Sequence, residues 1–201
     1  MKATSWVHTK FDLLSHYHDV AEVGELVRRY FAMNAFDGVL TTVGILAGGY
    51  VGGVDSANAM ISVIMATAIG MGVSGFYGTY LVERAERERT MRELEESTLT
   101  SLDDTAIAAA ATYATIVISI VDGLSPFAAA TIATIPFFLT SVWSVHTAFY
   151  LAAGIAFIEL FLLGVFLGRI SRERLWLNGV RLMGAGLVAL ALSLLLGKGV
   201  G

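Results

Sequence analysis

Cysteine is absent, which excludes disulfides, thiolate metal sites and cysteine nucleophiles. Charge is scarce as well: Asp, Glu, Lys and Arg make up 15% of the 201 residues, against about a quarter in a soluble domain. The formal charge of -4 sits in a few short blocks, so no basic surface for nucleic acid is expected. The first 30 residues lack the basic end and short apolar core of a cleavable signal, and the N-terminus is expected to be retained.

What is present is apolar. Hydrophobic residues make up 56% of the chain and the mean hydropathy is +0.70. Apolar stretches at 36–54, 57–82, 106–142, 145–168 and 177–197 each reach the ~20 residues of a spanning helix. The expected fold is all-α, a polytopic transmembrane helical bundle of five spans. Residues 1–30 would form an N-terminal cytoplasmic amphipathic segment, 31–82 spans one and two, 83–104 a charged cytoplasmic helix, and 105–201 spans three to five.

Basic residues near span ends favour the cytoplasm. Arg28 and Arg29, Arg84, Arg87, Arg89 and Arg92, and Arg169, Arg172 and Arg174 carry that signal; the connections near residues 55 and 143 carry no Lys or Arg and are expected outside. Segment 106–142 then counts as one crossing, although it is long for one. "VDGLSPF" at 121–127 and Pro136 offer places to break it. It can protrude, kink, or cross twice, the last giving six spans. "FDGVLTTVGILAGG" at 36–49 and "VDGLSPFAAATIAT" at 121–134 both place Asp-Gly before a small-residue run, a weak echo that suggests paired elements of a transporter built from repeats, with chance matching as the alternative.

Three acids fall at membrane depth: Asp37, Asp122 and Glu159. An ionised carboxylate there costs at least ~2.5 kcal/mol, so it usually faces a cavity, a partner or an ion. For Asp37 the plain alternative is pairing with Arg29, or a local bond with Asn34, Thr41 or Thr42. Glycines fill the first two spans, for close packing or for a narrow path. Met60, Met65 and Met71 are core filler or soft-metal ligands. Asp12 with His16, and His18 with Glu22, have metal-ligand spacing; an amphipathic helix accounts for them equally well.

"NAFDGVLTTVGILAGG", "GVSGFYGTYLVERAERER", "ELFLLGVFLG" and "LWLNGVRLMGAGLVALALSLLLG", in that order, resemble the vacuolar iron transporter family over residues 27–90 and 145–197. The resemblance implies five spans, a homodimer, and proton-coupled export of Fe2+, often Mn2+, from the cytosol. The metal is cargo, and no permanently bound cofactor is expected. Asp37 matches the family's metal-binding aspartate in the first span, with Asn34 beside it. The family's second-span methionine falls on Gly75 and its glutamate on Thr79, so two expected groups are missing; Met71, one turn before Gly75, is the candidate thioether.

The metal-gathering helices of that family are short here. The charged segment instead pairs at i,i+4, as Glu83 with Arg87, Arg84 with Glu88, Arg89 with Glu93 and Arg92 with Glu96, which favours a solvated extension of the second span over a metal store. The metal site expected from sequence is therefore Asp37, Asp122, Glu159, Met71 and Asn34, in a multi-pass protein of the plasma membrane if prokaryotic, with divalent metal ions, protons, the lipid bilayer and a second copy as partners. An enzyme is not expected: an aspartyl protease dyad of Asp37 and Asp122 would require a Gly-x-Gly-Asp signature, and Asp122 follows Ser119, Ile120 and Val121. A non-transporting structural protein would explain the glycines and leave the acids unexplained.

Overall fold

The computed structural model describes residues 23–102 and 105–200, the last three by backbone alone. Five long helices follow one another: α1 (Val23–Val51), α2 (Ala57–Thr98), α3 (Ala106–Phe138), α4 (Val145–Ser171) and α5 (Leu175–Val200). All five are long and apolar enough to cross a bilayer, and the protein is a multi-pass membrane protein. The amphipathic segment expected before residue 23, with its Asp12, His16, His18 and Glu22 pairs, lies outside the described residues.

The alternative with six spans is not adopted. Segment 106–138 is one helix of 33 residues, ~50 Å at the rise of an α-helix against a hydrocarbon core of ~30 Å. Both prolines lie inside it, so the helix does not end at 121–127 or at Pro136, the places where the sequence would allow a break. Each proline withholds one N–H, from the carbonyls of Asp122 and Ile132, and leaves the rest of the helical ladder to form. Packing holds the helix together there, because Pro126 and Pro136 are both buried. Hydroxyls within α3 add bonds of their own, Ser119 Oγ to the Thr115 carbonyl at 2.6 Å and Thr134 Oγ1 to the Ala130 carbonyl at 2.6 Å.

The described residues form two compact units, and α1, α2 and α3 contribute to both. The first holds residues 23–31 and the described part of Ser74–Gly123. Its apolar centre is Val23, Ala114 and Ile118, with Leu26, Val27 and Tyr30 against them. The residues just before position 31 are thus already helix, one continuous α1, rather than part of a separate surface segment. Further along, α2 carries its charges out to Thr98 as an extension, and Leu99 ends it with a left-handed φ of 53°.

Three of the four expected ion pairs form on that extension: Arg84 with Glu88 at 2.7 Å, Arg87 with Glu83 at 3.5 Å, and Arg89 with Glu93 at 2.9 Å. Arg92 turns back to Glu88 at 3.9 Å and not forward to Glu96. Its pair then has the glutamate four residues before the cation, the better orientation on a helix, as Glu83 with Arg87 also does.

The second unit comprises Ala32–Val73 and the described residues from Leu124 onward. Two apolar clusters fill it. One gathers Leu46, Met60, Ile64, Phe137 and Phe149; the other gathers Val39, Val43, Ala133, Ala156 and Leu160. Backbones meet closely at Gly38, where an added Cβ would stand 2.7 Å from Pro126 Cα and from its carbonyl oxygen. The seam between α4 and α5 is built the same way, with Gly164 against the Asn178 backbone and Gly179 against Phe161. Close approach thus accounts for several glycines, whereas Gly48, Gly70 and Gly78 face open space.

α4 begins at Ser144, whose hydroxyl accepts the Thr147 N–H at 3.2 Å, and ends at Arg172 in the left-handed region with φ 57°. At the α1–α2 turn Gly53 takes φ +68°. Beside it the Tyr50 and Tyr150 hydroxyls meet at 2.8 Å, and His146 Nε2 stands 3.8 Å from Asp55 Oδ1.

Candidate functional site

Asp122 sits in the middle of α3, within the first unit, and is 3% exposed. The Thr79 hydroxyl of α2 donates to its Oδ2 at 2.6 Å, a length typical of a charge-assisted bond. One turn earlier on α2, a Cβ at Gly75 would stand 3.0 Å from Asp122 Oδ2 and 3.4 Å from the Asp122 carbonyl oxygen. The carboxylate therefore fills the space that a side chain at position 75 would need. Gly75 and Thr79 are the two positions where the resemblance leads one to expect a methionine and a glutamate. The acid that faces these two positions is Asp122 of α3, and the residues opposite it are small or hydroxylic.

Pro126 adds a second feature, since it has no N–H to give the carbonyl four residues before it. That carbonyl belongs to Asp122. One residue thus turns a carboxylate and a backbone carbonyl toward α2, where the Thr79 hydroxyl stands. Three oxygens of this kind suit a hard or borderline divalent cation.

A polar network in the same unit leads outward along α2. The Tyr30 hydroxyl donates to Glu83 Oε1 at 2.9 Å, Glu83 pairs with Arg87, and Tyr30 lies within electrostatic reach of both Glu83 and Asp122. Nothing in a single sequence links position 122 to positions 75, 79 and 30. The available signal was indirect: two expected ligands missing from α2, and one unexplained acid elsewhere.

The remaining candidates lie in the second unit. Asp37 is exposed on α1. None of the alternatives holds for it: it has no hydrogen-bond or ion-pair partner among the described residues, and Thr42 bonds to the Gly38 carbonyl at 2.8 Å. Asn34 is half-buried on the same face, one turn earlier. Glu159 is half-buried on α4, and its Oε2 is buried with no hydrogen-bond partner among the described residues. Its neighbours on the helix, Ala156, Leu160 and Leu163, belong to an apolar cluster. Met71 is half-buried and outside the clusters, while Met60 and Met65 pack in the core.

Among the described residues no three His, Asp or Glu side chains gather as a metal cluster. The acids of the charged extension do not form one either, and Glu86 and Glu93 are exposed. Any cation held by the described residues would draw on one or two carboxylates completed by neutral oxygens, or by a second copy.

No family model matches the chain. No solved structure matches it. It is similar to a protein of Methanocaldococcus jannaschii described as uncharacterized, with 33% identity over 176 residues, covering 84% of this chain and 87% of that one. Identity at that level over most of both chains places this five-helix membrane protein in the same family as the archaeal protein.

Proposed function

We propose that the chain transports divalent transition-metal cations, Fe2+ or Mn2+, in the manner of the vacuolar iron transporters it resembles, exporting them from the cytosol in exchange for protons. The observation that carries this reading is Asp122, a carboxylate buried in a candidate span, held by Thr79 and fitted against Gly75. Burying an ionised acid there costs at least ~2.5 kcal/mol, and the Thr79 hydroxyl offsets part of that cost. A cation neutralises the acid, and so does a proton. Metal and proton compete for the same oxygens, and a proton gradient then drives release.

Asp37 supports a homodimer. It is exposed on a spanning helix, where lipid would otherwise meet a charge. A second copy packed on that face covers it and places two Asp37 side chains about a two-fold axis. Asn34 adds an amide oxygen there, and Met71 and Glu159 are the remaining ligands of the reading.

Metal flux into liposomes under a pH gradient tests it. The wild type moves Fe2+ or Mn2+ in a proton-dependent way, Asp122→Asn abolishes the flux, and Thr79→Val weakens apparent metal affinity ~10-fold. Flux unchanged in Asp122→Asn overturns the reading.

A further inference from the structure

Within the first unit a cavity of about 430 Å³ opens between the charged extension of α2 and the first turns of α3. Arg84, Arg87 and Arg92 line it from α2, and Thr112 and Ile116 are part of its α3 wall. Three guanidiniums therefore gather at one opening, just beyond the apolar run of α2. Arg89, of the same charge, faces elsewhere and pairs with Glu93.

The acids at this opening leave most of those donors available. Glu95 accepts the Leu102 N–H at 2.7 Å, which ties down the connection after α2. Glu88 takes Arg84 Nε at 2.7 Å and reaches Arg92 only at 3.9 Å. A guanidinium carries five N–H groups in a planar fork, so one carboxylate shared between two arginines spends a small part of their capacity. Arg87 Nε is buried and makes no hydrogen bond among the described residues, although Glu83 Oε2 stands 3.5 Å from it as an ion-pair partner.

The α3 wall is of a different kind. Ala108 and Ala111 give it a low apolar surface, and Ile116 continues that surface toward the exposed Ile120 of the span. A ligand with a compact anion at one end and an apolar body at the other matches both walls. Clustered arginines at the end of a spanning helix are the chemistry that recognises anionic headgroups, and arginine forks suit the oxygens of a phosphate.

We propose that this cleft binds a phosphate group at the membrane surface, carried by the headgroup of a phospholipid. The assignment does not depend on transport. Arg84 and Arg92 hold the phosphate with Arg87 behind them, and the acyl chains follow the Ile116 wall into the bilayer.

The full chain in detergent micelles, titrated with phosphatidylglycerol, tests this by native mass spectrometry and by the shift in Tm. Diacylglycerol serves as the ligand with tails and no phosphate, and inorganic phosphate as the anion without tails. Phosphatidylglycerol binds and raises Tm; Arg84→Gln with Arg92→Gln weakens binding at least ~10-fold, while Arg89→Gln changes it less than ~2-fold. Glu88→Gln frees both arginines and tightens binding. All four changes lie on exposed residues, and the Tm without lipid confirms that each of the three variants folds.

Inorganic phosphate that displaces the lipid with the same dependence on Arg84 and Arg92 upholds the phosphate site and makes a soluble phosphate its occupant. Equal weakening by Arg89→Gln, no weakening by the double variant, or diacylglycerol binding as tightly as phosphatidylglycerol overturns the proposal.

Discussion

Two parts of the molecule bring helices together by different chemistry. Around Gly38 the contact is backbone on backbone, with the glycine against Pro126 and no room for a methyl group. Around Gly75 the contact is backbone on carboxylate: the missing side chain admits Asp122, which Thr79 then holds. In both a glycine faces α3, yet the first excludes everything and the second accommodates one charged group. A glycine in a spanning helix is thus read by what fills the space above it, and only the second kind marks chemistry.

Substitutions at the two sites separate these roles. Gly38→Ala has the largest expected effect, because the Pro126 backbone cannot yield as a flexible side chain would: about 3 kcal/mol of destabilisation, read as a loss of folded protein in detergent and a lower Tm. Gly75→Met restores the residue that the resemblance expects and forces Asp122 out, costing about 1–3 kcal/mol. Combining it with Asp122→Ala recovers part of that loss, and a non-additive double-mutant cycle on Tm checks the contact. Single changes whose effects simply add would show that Gly75 and Asp122 do not share space.

Asp37→Asn sharpens the comparison from the other side. In the single chain the side chain is exposed and makes no bond among the described residues, so the Tm of the monomer in detergent moves by less than about 0.5 kcal/mol equivalent, whereas metal flux falls sharply if the proposed transport is correct. Opposite in sign is Arg172→Gly, which relieves a left-handed residue at φ 57° and raises stability by about 0.5–1 kcal/mol. Chemical denaturation at constant lipid content measures it.

The spans were legible because runs such as 145–168 are longer and more apolar than any soluble core requires, and the α2 extension was legible because its charges repeat every four residues. Asp37 and Asp122 were conspicuous by their depth alone. Local rules misled where packing overrides them. Pro126 and Pro136 argue for a break, but each costs one ladder bond in a helix whose neighbours enclose it. Arg92 had two glutamates at the same spacing, and only side-chain direction separates them. The meeting of Thr79 with Asp122 was out of reach, because 43 residues of sequence separate two side chains that neither periodicity nor motif connects.

The glycine seam between α4 and α5 bears on how the chain is made. Three residues, 172–174, join the helices, and Gly164 and Gly168 accept the Asn178 turn of α5 directly. As the ribosome releases them, the pair can close as a hairpin inside the insertion machinery before it docks on the earlier helices. A chain cut after residue 171 would leave that notch facing lipid on the same helix as Glu159, an exposed flaw that quality-control proteases are built to find.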